Sequence, residues 1–219
     1  MTTTTTFKTA LLLGACALLA SACSTGPSAA DLDRQAKEVM RAGFRDEGIA
    51  KVDRLNQDAA NEACSAALGA ALPAAQAKAL EAANLATVKP PANGVYLGDY
   101  KKGETLAQDG RGMTWTDKST ETKANGGNCY NCHQISKTEI SYGTIGPSLV
   151  NYGKLRGVTD PTSPAAKAMV EYTWGKLYNA RAYNACSHMP RFGHMKLLDE
   201  AQLKDLMALL LDPKSPVNQ

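Results

Sequence analysis

The run Cys129-Tyr130-Asn131-Cys132-His133 limits what this chain can fold into more than any other stretch. A C-x-x-C-H run is the pattern for covalent attachment of a c-type haem. Two thiols separated by two residues reach the two vinyl groups on one porphyrin edge. The histidine that follows then lies beneath the macrocycle, with a ring nitrogen available to iron from the proximal side. A redox dithiol needs no following histidine, and half a zinc site needs further ligands. The fifth residue, together with the export signal upstream, favours haem.

That signal occupies residues 1–22. A polar start carrying Lys8 precedes the apolar run Ala10–Ala20, and Ala20-Ser21-Ala22 is an A-x-A cleavage signal. The apolar run is too short to span a bilayer. Cleavage leaves Cys23 first in the mature chain, which makes Cys23 a candidate lipid site; release as a soluble periplasmic protein is the alternative. The formal charge of +3 loses only Lys8 with the signal, leaving +2, too mild to argue for nucleic acid. Of six cysteines, Cys16 leaves with the signal, Cys23 is set aside for lipid, and Cys129 and Cys132 go to haem. Cys64 and Cys186 remain, and in an oxidising compartment they pair most simply with each other. Two buried, unpaired thiols are the alternative.

Few aromatics (6%) with plentiful alanine and leucine lean towards an all-α fold. Residues 23–90 read as a helical N-terminal extension. Val39, Met40 and Phe44 share a helical face; Ile49, Val52 and Leu55 recur at every third place, and Gly43 and Gly48 split or kink the pattern. A further helix begins at Pro73, with Leu80 and Leu85 spaced for one side. Lys89-Pro90-Pro91-Ala92-Asn93-Gly94 reads as a linker, which puts the haem domain at 91–219. Within that domain Gly103–Gly110 predicts a short helix, and 111–128 a long polar loop. Residues 164–184 predict a helix with Met169, Val170, Trp174 and Leu177 on one side. The last helix is delimited by Asp199 as N-cap, Gln202 three residues on, and Asp212-Pro213 at its end; Leu203, Leu206, Met207 and Leu210 form its core stripe.

A second axial ligand must come from outside the C-x-x-C-H run. Met40, Met169 and Met207 sit in helical stripes, and Met113 lies in the long loop. Met189 stands in the irregular segment Ser187-His188-Met189-Pro190-Arg191-Phe192-Gly193, 56 residues beyond His133. It is the preferred ligand, with His188 the local competitor and His194 and Met195 the next. Cys186 is three residues before Met189, so a Cys64–Cys186 bridge would anchor the ligand loop.

C-x-x-C-H, a Gly-Pro turn after it, a methionine in a loop and a C-terminal helix together resemble a class I cytochrome c. The resemblance implies that the Pro147 carbonyl accepts the other N–H of His133, and that the terminal helix crosses the helix before the haem run. More narrowly, Gly127–Gln134, Ile140–Leu149, Tyr152–Gly157, Ala185–His194 and Leu211–Asn218 resemble SoxX, the monohaem subunit of the SoxAX cytochromes of thiosulfate oxidation. This resemblance covers residues 94–219 most strongly, and the N-terminal region is similar to the extended SoxX forms, including a cysteine where Cys64 stands. It implies one covalent haem c and a role as the electron-transfer subunit of an L-cysteine S-thiosulfotransferase complex. The catalytic site is then expected on the partner SoxA, and no catalytic residue in this chain. The partners it implies are a SoxA-like cytochrome, the carrier SoxYZ and a small acceptor cytochrome. Arg191 is a candidate contact to a haem propionate or to a partner.

Two other classes stand beside this one. A freestanding or lipid-tethered electron shuttle could use Lys101, Lys102, Lys118, Lys123 and Lys137 as a docking ring. A zinc protein could use Cys129, Cys132, Cys186 and His188.

Overall fold

A computed structural model of the chain describes residues 26–219. The export signal, Cys16 and the candidate lipid site Cys23 lie outside the described residues. Residues up to Asp46 and residues Glu47–Gln219 form two separate compact units. In the first, helix α1 (Ala29–Gly43) is capped by the Ser28 hydroxyl, which accepts from the Asp31 N–H. It carries the i,i+4 pairs Lys37–Asp33 and Arg34–Glu38 and buries none of its residues.

The second unit is built from α2 (Ala59–Ala66), α3 (Ala74–Leu85), α4 (Tyr100–Gln108), α5 (Tyr152–Leu155), α6 (Lys167–Tyr178) and α7 (Glu200–Leu211), joined by loops and short 3₁₀ turns. The only extended pairing among the described residues is an isolated bridge between Glu47 and Ala50. The fold is all-α, as the composition predicts.

Helix α7 is the centre of the core. The Asp199 carboxylate accepts from the Gln202 N–H and the Gln202 side chain accepts from the Asp199 N–H, the capping box expected from the sequence. The helix ends at Asp212, ahead of Pro213. Leu203, Leu206, Met207, Leu209, Leu210 and Leu211 are all buried, a wider face than a single stripe, because α4, α5 and α6 all pack around α7. Burial at roughly 2 kcal/mol per large apolar side chain makes this the largest apolar contribution in the fold.

The tightest pairing is between α4 and α7. Asp99 caps α4 by accepting from the Lys101 N–H, so the helix starts three residues before the expected Gly103. Gly103 lies inside it, where a Cβ would collide with the Asp205 carbonyl of α7. A glycine weakens a helix on propensity grounds. Here it permits the crossing, and that is why the sequence pattern mistook it for an end.

Residues 47–90 belong to the same compact unit as the haem-run residues, so the unit begins at Glu47, upstream of the Lys89–Gly94 segment. The Trp174 indole N–H of α6 donates to the Lys89 carbonyl (2.8 Å), and Tyr96 packs edge-on against the same indole with centroids 5.5 Å apart. The threefold recurrence of Val52 and Leu55 is a 3₁₀ turn, Val52–Leu55, rather than part of an α-helix. Helix α3 turns Leu80, Glu81 and Asn84 inward and leaves Leu85 49% exposed. Its inner face is thus partly polar, which the spacing of leucines did not foretell. The Asn179 amide, fully buried, donates to Asn84 Oδ1 (3.0 Å) and Thr87 Oγ1 (2.9 Å), joining α3 to the end of α6.

The long loop 111–128 leans on the start of α7. Buried Asn125 donates to the Leu197 carbonyl (2.8 Å), and Gln202 donates to the Thr122 carbonyl (3.1 Å). This places the haem run, which follows directly, against the α4–α7 crossing.

Candidate functional site

Asn128, in the left-handed region at φ 51°, turns the chain into the 3₁₀ turn Cys129–Asn131. The Cys129 carbonyl accepts from the N–H groups of both Cys132 (3.1 Å) and His133 (2.9 Å). This coil brings Cys129, Cys132 and His133 to one cavity of 670 Å³. The following loop folds back along the run, with the Gly143 N–H on the Tyr130 carbonyl and the Gly146 N–H on the Cys132 carbonyl, both 2.8 Å. A Cβ on Gly146 would collide with the His133 ring, so only glycine lets the chain pass there. The passage sets the Pro147 carbonyl 2.6 Å from His133 Nδ1. A carbonyl only accepts, so Nδ1 carries the proton and the Nε2 lone pair is left for a metal.

The second candidate ligand arrives at the same cavity from α6. Gly193 and His194 donate to the Tyr178 carbonyl (3.1 and 3.0 Å), and the Tyr178 ring packs on Gly193, which curls residues 185–192 over the core. Met189 and His188 both line the cavity. Met189 is half-buried and packs on the apolar core, whereas His188 is exposed. Met113, His194 and Met195 do not line it; burial, then the Arg191 charge, holds the His194 pKa below its ordinary value. The disulfide Cys64–Cys186 is formed, with Cα atoms 5.6 Å apart, and ties α2 to the Met189 segment.

This bridge removes Cys186 from any zinc set. Among the described residues no three His, Cys, Asp or Glu side chains gather as a metal group. Burial, then the neighbouring Cys132 thiol, pushes the Cys129 thiol up to about 12, although its cavity-facing edge leaves it only half-buried. Such a thiol is neutral at physiological pH, unlike the depressed thiols of redox dithiols.

Arg191 is placed differently from expectation. It does not line the cavity; its guanidinium, 11% exposed, pairs with Asp58 at 2.6 Å. A nearly buried cation requires a counter-charge, and α2 supplies it. The cationic side chains at the cavity are instead Arg156 and Lys176, beside Tyr172, Thr173 and Asn184. The Arg156 guanidinium lies 3.7 Å over the Tyr152 ring and donates to the Tyr152 carbonyl. These residues were not singled out from sequence, because the only signal was a basic residue in a short run, Tyr152–Gly157. They suit the propionate carboxylates of a haem.

The residues fit the group the C-x-x-C-H run implies. An apolar cavity is edged by two thiols at the right spacing, a histidine held in one tautomer, a methionine thioether and a cationic rim. When bound, haem supplies one-electron exchange at its iron. His133 Nε2 and Met189 Sδ are the atoms that would hold its iron, and Cys129 and Cys132 those that would hold it covalently.

An all-helical fold wrapped on such a cavity defines a class I cytochrome c. Residues 100–213, more than half of the chain, match the family model described as Cytochrome c, and the chain belongs to that family of haem c-binding electron-transfer proteins. It is also similar to an uncharacterized lipoprotein of Aquifex aeolicus (strain VF5), 38% identical over 137 residues, which is 61% of this chain. The chain spans 59% of the length of that relative.

Proposed function

We propose that this chain is the SoxX-like monohaem subunit of an exported SoxAX-type complex. In that role it accepts electrons released when thiosulfate is joined to a carrier-protein cysteine. The joining forms one S–S bond, releases the thiol proton and gives up two electrons, which this subunit passes singly to a diffusible cytochrome. One haem follows from the single C-x-x-C-H run. The observation that carries the reading is the pairing at one cavity of His133 with Met189, set in the Ala185–His194 stretch that resembles SoxX. A His/Met pair raises the potential relative to bis-His and favours electron transfer. The remaining cysteines of the compact unit, Cys64 and Cys186, are bridged to each other and so are not free thiols.

A permanent partner is further supported by apolar exposure near the site. Ile140 and Tyr142, in the loop that follows the haem run, are 100% and 41% exposed. Cys23 following an A-x-A signal, with a lipoprotein among the relatives, supports a lipid tether in the periplasm. The same observation favours a second reading, a lipid-tethered shuttle without a catalytic partner. In that case Lys101, Lys102, Lys118 and Lys123 would dock transient partners, while Lys137 is engaged with the Gln219 carbonyl at 2.9 Å.

Capture of the haem-loaded protein from periplasmic extract separates the two. Recovery of a second c-type cytochrome, with thiosulfate-dependent haem reduction that requires a carrier protein, supports the SoxAX reading. A lone monohaem protein reduced by many donors and retained by none supports the shuttle.

A further inference from the structure

We propose that Asp58, at the start of α2, is a positioning residue for the Met189 thioether. The proposal rests on Met189 being the axial ligand. Asp58 gathers three donors. Its Oδ1 accepts from the Asn61 N–H (2.8 Å) and Arg181 Nη1 (3.2 Å), and its Oδ2 accepts from Arg191 Nη2 (2.6 Å). Arg181 also donates to Asn61 Oδ1.

The two arginines bracket the segment that carries Met189, and Arg191 is only two residues from it. Both guanidiniums are nearly buried, with side chains 13% and 11% exposed, whereas the Asp58 side chain is 41% exposed. Two like charges confined at one place repel each other, and Asp58 is the carboxylate that both contact. Without it the cheapest relief is for one guanidinium to swing towards water. An Arg191 side chain released in this way no longer ties the backbone two residues from Met189 to α2. The disulfide at Cys186 and the Ala185 N–H bond to Glu81 (3.2 Å) hold the segment before Met189, and the Gly193 and His194 N–H bonds to the Tyr178 carbonyl hold it beyond Arg191; between them the Arg191–Asp58 pair ties the stretch to α2. A carboxylate 131 residues upstream of the thioether thus helps to fix where the thioether sits.

The test uses the purified, haem-loaded full protein. Two readouts are followed: the long-wavelength absorption of sulfur-to-ferric-iron charge transfer, and the affinity for imidazole, which competes with an axial methionine. In Asp58→Asn the absorption is expected to weaken and imidazole to bind about tenfold more tightly, with partial exposure of Asp58 limiting the effect. Asp58→Glu is expected to restore both values, which a role in overall stability alone would not require. Should Asp58→Asn fail to load haem, Arg191→Gln removes the same ion pair and is expected to show the same two changes. Met189→Ala separates the two ideas. If it leaves the absorption intact, the ligand assignment falls and the proposal falls with it. If it abolishes the absorption while Asp58→Asn and Arg191→Gln leave both readouts at wild-type values, the ligand assignment stands and the positioning role is overturned.

Discussion

At the scale of single residues, the orientation of His133 is governed by what its neighbours lack. Gly146 contributes no Cβ, and Pro147 contributes only a backbone carbonyl, to the bond with His133 Nδ1. The two residues should therefore respond differently to substitution. Gly146→Ala forces the imidazole aside and is expected to destabilise the haem-loaded protein by about 1–3 kcal/mol, with a shifted midpoint potential. Pro147→Ala keeps the accepting carbonyl, so its potential should stay near wild type; thermal unfolding and redox titration check both. Asp58 offers a pH test at the same scale. Burial raises its pKa, but the Asn61 N–H and the Arg191 and Arg181 charges outweigh this, and the net value is lowered. A lowered folded-state pKa means the carboxylate's contribution is complete above its ordinary value, near 4, and is lost as pH falls through the lowered value. The stability gap between wild type and Asp58→Asn should thus be constant near neutrality and close in acid, as measured by urea unfolding across that range.

At the scale of elements, the α4–α7 crossing depends on close backbone approach. Gly103→Ala gains up to about 1 kcal/mol of helix propensity, yet it drives a methyl group into the Asp205 carbonyl, which belongs to a rigid helix and cannot give way. A net loss of about 1–2 kcal/mol is expected in urea unfolding of the haem-loaded protein; a gain would show that the crossing can open. The capping box at Asp199 and Gln202 was legible before the fold was known, since it is a contact between residues three apart. Helix α3 was not legible in the same way. Its useful face carries Glu81 and Asn84, whose partners Ala185 and Asn179 lie about a hundred residues away, so apolar spacing pointed at Leu85 instead.

At the scale of the whole molecule, residues 58–88 hold the back of the Met189 segment through the Asp58 ion pairs, the Cys64–Cys186 bridge and the α3 contacts. The bridge spans 122 residues, so its loss should lower stability by up to about 5 kcal/mol. A Cys64→Ser, Cys186→Ser protein is expected to unfold at lower urea and to bind imidazole more tightly in the native state. Unchanged imidazole affinity would limit the bridge to a role in stability. No helix among the described residues is long and apolar enough to cross a membrane. The lipid tether proposed at Cys23 is checked separately, by mass measurement of the mature N-terminus.

The C-x-x-C-H run, the α7 cap and the leucines of α7 were decided by the sequence alone, because each depends on residues within a few positions of one another. The place of Met189 at the cavity was legible for a related reason: an irregular segment held by Pro190 and Gly193 is a place where a side chain can leave a helix face. Tertiary structure alone decided that Arg191 pairs with Asp58, that Arg156 and Lys176 reach the cavity, and that residues 47–90 join the same compact unit. Spacing along the chain tells which side of a helix is buried. It does not tell which distant charge will meet a buried guanidinium, since that choice is made only when the helices cross.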